Sequence, residues 1–512
     1  MKAILKRTLT SLAAAALVAS PLANATNGYF LVGAGSKNRG VAGAGIAFPQ
    51  DAMASATNPA SITAIGNRVD VGAEFFKPKR RGVVDASGID TSVAGPIPGY
   101  TPLAGQRAEK KSGSNVFFIP HLGFTKAWTD RITLGFAIAG NGGMNTRYGD
   151  ANAGVVGAGN LYTDAFAPVV GTCSDAGAGC PTGPGLPPLF SGFAGLLEAQ
   201  GVPSSVLAPN LQNLYLNPNN SPSLGVNLAQ VLVTPTIAYK INEHHSIGFS
   251  PVIGVQEFRA FGLGLFQALS DNPGSVTNRG NDLVYGFGAQ VGYMGTFDWL
   301  SIGATARSKI YMDEFNKYKG LFAEQGDFDV PPTFGVGIGV KPTSKLTIAA
   351  DVTRILYSQV DAIHNNGPTA DEFFNALAGA LTGNPGFIAH PLGSNDGWGF
   401  GWDDVWVYKL GVDYEYSSNW AFRAGFNYAK MPYDKDQALF NVLAPAVVEK
   451  HVTAGFTRSL TPNSELTFTY MHAFRNKVDY TYQGTGQNAA FSFSAKNDMY
   501  QNAFELSSGL RF

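Results

Sequence analysis

The residues from Trp406 to Tyr416 alternate strictly in character. Every even position carries an aromatic or aliphatic side chain, whereas the odd positions include Lys409, Asp413 and Glu415. Because successive side chains of a β-strand point to opposite faces, this pattern predicts a strand with one apolar face and one polar face. Such a strand separates an apolar phase from a polar interior.

The same alternation recurs along most of the chain and predicts fourteen strands. Membrane barrels that bacteria build from a single chain have an even number of strands. The predicted fold is therefore all-β, a fourteen-stranded antiparallel transmembrane β-barrel. The strands are predicted at residues 68–76, 114–128, 130–140, 229–240, 244–258, 283–297, 299–312, 332–341, 344–358, 404–416, 418–430, 448–459, 464–475 and 499–512.

The connections between these segments alternate between short and long. Short turns face the periplasm and long loops face the outside in such barrels. Every connection falls on the expected side, although loop length plays no part in the strand assignment. The longest external loop is predicted at 141–228. The last strand alternates and ends on Phe512, which resembles the closing strand that the barrel assembly machinery recognises.

The composition and the start of the chain exclude other classes. Charged residues are 14% of the chain, against about 25% in soluble proteins. No apolar run of about 20 residues follows residue 25, which excludes spanning helices. The net charge of −1 gives no reason to expect nucleic-acid binding. Residues 1–25, with a basic start, a short apolar stretch and small residues at Ala23 and Ala25, predict a secretory signal peptide and export to the outer membrane.

The two cysteines, Cys173 and Cys180, lie in a stretch rich in Gly, Pro and Ala, with six residues between them. An exported chain can hold a disulfide there, so the pair is expected to staple a small loop. A metal or redox role would need further ligands, which are not nearby. We therefore expect no metal and no cofactor.

One part of the longest loop carries apolar residues at about helical spacing, namely Phe190, Phe193, Leu196 and Leu197. A loop that meets only water has no need of such side chains. Two interpretations stay open, packing among the loops and a landing surface for an apolar ligand.

Between the signal peptide and the first strand lie residues 26–67, which are rich in Gly and Ala. They cannot form a core of their own. The small residues at 40–45 allow close packing in a confined space, while Pro49 and Pro59 set turns. The segment is predicted to form a plug, or hatch, inside the barrel formed by residues 68–512.

Several short motifs in this segment carry a family resemblance. They are Gly28, Tyr29 and Phe30, the Gly/Ala run through Gly45, and Asn58-Pro59-Ala60 directly before the first strand. With the strand count and Phe512, they make the chain resemble the FadL-like long-chain fatty-acid transporters of the outer membrane and their aromatic-hydrocarbon relatives. The resemblance extends over the whole mature chain.

The resemblance implies a mechanism without a chemical step, so we expect no enzyme. A hydrophobic ligand, a long-chain fatty acid or a hydrocarbon, would bind on apolar external loops and pass to an inner pocket beside the hatch. It would leave sideways into the membrane lipid after hatch movement, by facilitated, energy-independent diffusion. Tyr29 and Phe30 would lie near the inner pocket, and Asn58, Pro59 and Ala60 would hold the hatch bend.

The inward-facing cations are assigned from the alternation and not from the family. A carboxylate headgroup in a partly dry lumen needs a cation, which makes Arg307 and Arg423 candidates. Pairing with Asp351, Asp413 or Glu415 across the barrel interior is the alternative.

The sequence leaves three alternatives to the transport of apolar compounds. His244 and Ser246 stand in a His-x-Ser-x-Gly motif that resembles the outer-membrane phospholipases, but they are predicted at a periplasmic turn, inside the barrel. A general diffusion porin should carry more lumen-facing charge, whereas many inward positions here are Gly, Ala or Thr. A purely adhesive or structural barrel is the third alternative.

Overall fold

The structure is a computed structural model that describes residues 27–90, 105–149, 161–170, 197, 202–203, 206, 223–384, 386 and 388–512. The predicted signal peptide, Cys173 and Cys180 lie outside these residues, as do Phe190, Phe193 and Leu196. No helix in the described part of the chain is long and apolar enough to cross a bilayer.

Fourteen antiparallel strands form the closed barrel, as the alternation predicted. Consecutive strands pair along the sheet, and the first strand pairs with the last from Arg68↔Arg511 to Asp85↔Ser494. The barrel therefore has no open edge. The strands are β1 Arg68–Asp85, β2 Phe117–Ala127, β3 Ile132–Asn145, β4 Gly225–Lys240, β5 His245–Phe261, β6 Asp282–Thr296, β7 Leu300–Arg307, β8 Thr333–Thr343, β9 Leu346–Ile355, β10 Val405–Ser417, β11 Trp420–Ala429, β12 Lys450–Thr461, β13 Ser464–Gln483 and β14 Ser492–Arg511.

The two faces of the strands divide as predicted. Trp406, Tyr408 and Leu410 of β10 are about half exposed on the outer wall, whereas Asp413 of the same strand is buried on the inner side. Apolar side chains that are exposed on the outside of a barrel face lipid. Glu415 is an exception, because it lies exposed at the periplasmic end of β10 and not in the lumen.

The strands are longer on the external side than the alternation indicated. β1, β13 and β14 continue to Asp85, Gln483 and Ser492, beyond the predicted limits. Two short strands, Arg107–Lys111 and Tyr311–Met312, extend the sheet beside β1 and β6. The longest external loop is accordingly shorter than predicted, because β3 runs to Asn145 and β4 begins at Gly225.

Residues 27–67 lie inside the barrel and contact its inner wall. Glycines on the strands make room for them. A Cβ atom at Gly411 would lie 2.4 Å from the Cβ of Val41, and one at Gly248 would lie 2.3 Å from the backbone nitrogen of Ala60. Any larger residue at these positions would collide with the N-terminal segment. The small inward residues noted in the sequence thus accommodate this segment.

Helices are short and lie in the N-terminal segment or in the external loops. The longest described helix begins at the cap residue Thr369, whose side chain exchanges hydrogen bonds with Glu372, and ends at Gly383 with a φ of 68°. This is a capping box followed by a left-handed C-terminal glycine. The α-helices are α1 Ser36–Gly40, α2 Ala54–Thr57, α3 Leu161–Val170, α4 Ala323–Gly326, α5 Asp361–His364 and α6 Ala370–Thr382, and the 3-10 helices are Pro59–Ala64, Gly264–Leu269, Pro273–Ser275, Asn316–Tyr318, Tyr357–Gln359, Lys435–Gln437, Phe440–Val442 and Gly486–Asn488.

Candidate functional site

Helix α1 fastens the N-terminal segment to the strands that close the barrel. Arg39 lies 2.9 Å from a carboxylate oxygen of Glu74 on β1 and 2.6 Å from one of Glu505 on β14. The two glutamates face each other in the register of β1 and β14. Both are fully buried, and two like charges opposite each other repel. Arg39 therefore neutralises a pair of carboxylates across the closing seam.

A second group of charges lies beside this one. Lys37, also on α1, forms an ion pair with Glu465 of β13, and Arg68 of β1 binds both Glu465 and Asp70. The Oδ2 atom of Asp70 in turn accepts a hydrogen bond of 2.9 Å from the backbone N–H of Ala52. Because buried charges need partners, these contacts tie residues 37–52 to β1 and β13.

Asn58, Pro59 and Ala60 form a hydrogen-bonded bend at the periplasmic side of the segment. The side-chain amide of Asn58 donates to the carbonyl of Ile46 at 2.8 Å and to that of Tyr293 on β6 at 3.0 Å. Its carbonyl oxygen accepts from the N–H of Ala60 and so caps the 3-10 helix Pro59–Ala64. Asn58 is completely buried and joins two parts of the segment to the wall.

Asp351 of β9 anchors the middle of the segment. Its Oδ2 atom accepts hydrogen bonds from the backbone N–H groups of Gly45, at 2.8 Å, and Ile46, at 3.0 Å. Lys409 lies opposite Asp351 in the register of β9 and β10. Asp351 thus holds the backbone of the N-terminal segment and does not pair with Arg307.

A cavity of about 150 Å³ lies between the N-terminal segment and the inner wall. Phe30, Arg307 and Lys409 line it together with Asn141 and Gln290. The guanidinium carbon of Arg307 lies 5.4 Å from the centre of the Phe30 ring. Its Nε atom is buried and has no hydrogen-bond partner among the described residues. The cavity therefore holds a cation whose charge is not matched by a carboxylate in the described part of the chain.

Tyr29 lies beside this cavity, within a group of aromatic rings. Its ring centre is 5.0 Å from that of Phe30, 5.7 Å from that of Tyr357 and 6.0 Å from that of Trp402. Burial raises the pKa of the Tyr29 phenol, so the hydroxyl stays neutral. Phe30 lines the cavity and Tyr29 packs on Phe30; that either residue contacts a ligand stays a prediction.

Arg423 pairs with a carboxylate of the barrel interior, which is the alternative to binding a ligand headgroup. Its guanidinium lies 2.6 Å from the carboxylate of Asp413, and it also donates to the side chains of Gln50 and Thr457. These partners satisfy its charge and much of its hydrogen-bonding capacity, so Arg423 serves to hold the N-terminal segment. The two arginines that sequence reasoning treated alike differ in their surroundings.

Above the cavity, the external loops form one apolar cluster that is continuous with Tyr29 and Phe30. It encloses a pocket of about 40 Å³ lined almost wholly by apolar side chains. Leu197, a candidate from the longest loop, packs against this cluster. The residues that line the pocket include Phe258, Phe266, Phe322, Trp398, Phe400, Phe440 and Leu443.

Sequence reasoning missed helix α6, which packs on this cluster. Phe373, Phe374, Leu377 and Leu381 lie on its buried side. A signal was present, because Thr369 is followed three residues later by Glu372, the pattern that starts a capped helix. The rings of Phe373 and Phe374 meet that of Phe493 on β14.

The wall has a gap in its hydrogen bonding between β2 and β3. Their pairing runs from Ala127↔Thr133 to Leu122↔Ile138, and no further pair joins these two strands within the described residues. Beyond this point β3 has a bulge between Gly140 and Gly142. There it pairs instead with the N-terminal segment, because the N–H of Leu31 donates to the carbonyl of Asn141 at 3.1 Å.

In the His-x-Ser-x-Gly motif, His244 and Ser246 do not form a hydrogen-bonded pair of general base and nucleophile. The Nδ1 atom of His244 lies 2.9 Å from the backbone oxygen of Thr296, and the hydroxyl of Ser246 accepts from that of Thr63. Each side chain thus has a separate structural partner at the periplasmic end. In the described ranges, no group of three or more His, Cys, Asp and Glu side chains could hold a metal ion.

Residues 219–509 match the family described as outer membrane protein transport protein (OMPP1/FadL/TodX). No curated protein sequence matches the chain. Among solved structures, the Pseudomonas putida toluene transporter TodX is similar, with 14% identity, a TM-score of 0.55 and coverage of 94% of this chain and 99% of that one. A Pseudomonas aeruginosa FadL homologue gives 14% identity and a TM-score of 0.56, and covers 95% of this chain and 100% of its own.

The Ralstonia pickettii toluene transporter TbuX is also similar, with 15% identity and a TM-score of 0.52. It covers 94% of this chain and 99% of its own length. At these identities the structural likeness concerns the fold.

Proposed function

Because the chain belongs to the OMPP1/FadL/TodX family of outer membrane transport proteins, we propose that it admits long-chain fatty acids or similar amphiphiles by facilitated, energy-independent diffusion. Family members are channels for hydrophobic compounds in the outer membrane. The observation that carries the finer proposal is the cavity beside Phe30, which combines an apolar approach with the unpaired cation of Arg307.

Capture begins at the external loops. Their apolar cluster reaches from the outer pocket to Tyr29 and Phe30 without interruption. Apolar surface that is withdrawn from water in this way favours a hydrocarbon chain. A ligand that enters among these side chains can move inward without leaving an apolar environment.

The headgroup then meets Arg307 and Lys409. A carboxylate that loses its water needs a charge-assisted hydrogen bond in exchange. Arg307 offers an unused Nε donor on the inner wall, and Lys409 lines the same cavity. This favours an anionic amphiphile as the ligand over a neutral hydrocarbon, which cannot accept a charge-assisted hydrogen bond from either cation.

Release is proposed to occur sideways, through the gap between β2 and β3. Tyr29, Phe30 and Leu31 pair with β3 where β2 does not, so this part of the N-terminal segment closes the gap from inside. Movement of residues 29–31 would open a path from the cavity to the membrane lipid. The contacts of Arg39 with Glu74 and Glu505 keep helix α1 in place meanwhile.

Uptake by cells tests this proposal. Cells that lack their own transporter, with and without this protein, are given radiolabelled oleate or radiolabelled toluene. The proposal expects the protein to raise oleate uptake strongly and toluene uptake little. Equal oleate uptake by cells with and without the protein would contradict the proposal. A large steady ion conductance in a planar bilayer would point to a general diffusion porin instead.

The bend at Asn58 is expected to control the hatch. Asn58→Ala removes the two side-chain hydrogen bonds to Ile46 and Tyr293, a loss of about 1 to 3 kcal/mol of hatch stability. We expect a changed rate of oleate uptake with unchanged heat-resistant migration of the barrel on a gel. Asn419→Ala, in the exposed turn between β10 and β11, is the control. Loss of heat-resistant migration by Asn58→Ala would show that the residue is structural.

Filling the gap between β2 and β3 is expected to block release. A Cβ atom at Gly140 would lie 2.8 Å from the side chain of Ile119 and 3.7 Å from that of Leu31. Gly140→Leu should therefore occupy the space between β2 and the N-terminal segment, and reduce oleate uptake to the level of cells without the protein. Oleate binding to the purified barrel should fall less than uptake does, because Arg307 and Phe30 remain in the cavity that Gly140 also lines. Normal uptake by a folded Gly140→Leu barrel would argue against lateral release.

A further inference from the structure

The outer wall carries a band of cations above the lipid-facing aromatic rings of β1, β13 and β14. Phe75 of β1 lies opposite Phe504 of β14, which in turn lies opposite Tyr470 of β13. These three outward side chains are part of the apolar wall. The next outward positions of β1 toward the external end are Lys77 and Lys79, both exposed. Aromatic rings mark the edge of the hydrocarbon region, so the lysines begin at the level of the lipid headgroups.

The band continues on β13. Lys477 is exposed and pairs in register with Asp498 of β14, which itself pairs with Arg81 of β1. Lys477 is level with Arg81, so it lies two strand spacings across from β1 and is offset by two residues from Lys79 and by four from Lys77. The Cα separations are therefore roughly 12 Å and 17 Å. The three lysines surround a shallow area of outer wall that contains Tyr500 of β14.

The carboxylates in this area already have partners. Asp498 lies 3.1 Å from Arg81 and 3.5 Å from Arg475, and Glu109 of the short strand beside β1 lies 2.8 Å from Arg81. In contrast, Lys77, Lys79 and Lys477 form no ion pair with any carboxylate of the described ranges. The area therefore has more cations than the protein neutralises.

Arg475 is also positioned to face a ligand outside the protein. Its guanidinium carbon lies 5.1 Å from the centre of the Tyr500 ring, and its side chain is 64% exposed. Its Nε atom lies 3.5 Å from Asp498, and the other N–H groups of the exposed guanidinium are available to a ligand. The bulge between Ala473 and Asn476 places Arg475 on this outer face.

We propose that Lys77, Lys79, Arg475 and Lys477 bind the phosphate groups of lipopolysaccharide, the phosphorylated glycolipid of the outer leaflet. The site has the chemistry for this ligand, because ammonium groups bind phosphate as point charges and arginine binds it through several donors. It also has the position, since its apolar lower edge meets the acyl chains while its cations lie at headgroup level, on the side of the long loops. This site is separate from the lumen and does not depend on the transport proposal.

Binding of deep-rough lipopolysaccharide to the purified full-length protein in detergent tests the proposal. The variant combines Lys77→Gln, Lys79→Gln and Lys477→Gln. The control combines Lys126→Gln, Lys341→Gln and Lys345→Gln, which removes the same charge from exposed positions at the periplasmic end. We expect the control to bind like the unmodified protein and the variant to bind on the order of tenfold to a hundredfold more weakly.

Two further measurements make the result specific. A variant with arginine at positions 77, 79 and 477 should retain binding, and lipid A without its phosphates should bind poorly. Equal affinities of the glutamine variant and the control would overturn the proposal. Equally tight binding of dephosphorylated lipid A, or of inorganic phosphate alone, would also overturn it. Heat-resistant migration of each variant establishes that the barrels compared are folded.

Discussion

Arg39→Gln is expected to destabilise the barrel by about 3 to 5 kcal/mol, the usual cost of leaving buried charges without their partner. The substitution removes the cation between Glu74 and Glu505, which face each other across the seam of β1 and β14. His121, 3.2 Å from Glu505, remains as a weaker neighbour. The midpoint of urea unfolding, followed by the loss of heat-resistant migration, measures the effect.

A variant that also lacks both carboxylates separates the effect of the unpaired charges on stability from the effect of lost packing. When Glu74→Gln and Glu505→Gln accompany Arg39→Gln, no uncompensated carboxylate remains at the seam, and most of the lost stability should return. Arg131→Gln, at an exposed periplasmic turn, should leave stability unchanged. If the triple variant is as unstable as Arg39→Gln alone, repulsion between the glutamates is not the cause.

Arg307→Gln is expected to reduce oleate binding and uptake about tenfold or more, because a hydrogen bond to a charged group contributes roughly 1.5 to 3 kcal/mol. The ring of Phe30 and the shape of the cavity remain, so the uptake of a neutral hydrocarbon should change little. Fluorescence titration of the purified protein with oleate and radiolabelled uptake by cells provide the two measurements.

Arg354→Gln is the matched control for Arg307→Gln. Arg354 lies at the external end of β9, where it pairs with Asp404 at 3.3 Å and stacks on Trp406. It does not line the cavity. If Arg307→Gln lowers oleate and toluene uptake equally, the substitution has disturbed the cavity as a whole. Arg307 then does not recognise the carboxylate of the ligand.

The barrel was predictable because the bilayer imposes a local pattern on each strand. Trp406, Tyr408 and Leu410 alternate with polar residues wherever the wall meets lipid, and this periodicity is visible without knowledge of the neighbours. Above the membrane the pattern is inverted. There the outward residues of β13 and β14, such as Lys477 and Lys496, are polar, whereas inward ones such as Val478 and Phe493 are apolar and buried. The strands predicted from the alternation are therefore too short at their external ends.

The seam contacts were not predictable, because they join distant parts of the chain. Arg39 is one cation in a Gly-rich stretch, and its partners lie 35 and 466 positions further along. A partial signal existed, since the acidic side chains of Glu74, Glu465 and Glu505 all face inward and need cations. Likewise, the gap between β2 and β3 depends on pairing, and its local sign is the group of glycines at 140, 142 and 143.

The difference between Arg307 and Arg423 shows the same limit at the candidate site. The alternation places both arginines on the inner face. Arg423 has Asp413 directly across from it on the adjacent strand, and that pairing follows once the register of the hairpin is known. Arg307 meets Phe30 of the N-terminal segment instead, a contact that depends on how residues 27–67 fold inside the barrel.

The central claim is that the ligand passes through the lumen beside residues 27–34 and leaves between β2 and β3. A fatty acid with a photoreactive group near the end of its chain measures this route directly. It is given to cells during uptake, and the labelled peptides are identified by mass spectrometry. We expect labels in residues 27–34 and 137–145. Labels confined to the lipid-facing side chains of strands such as β10, as any membrane lipid would leave, would contradict it.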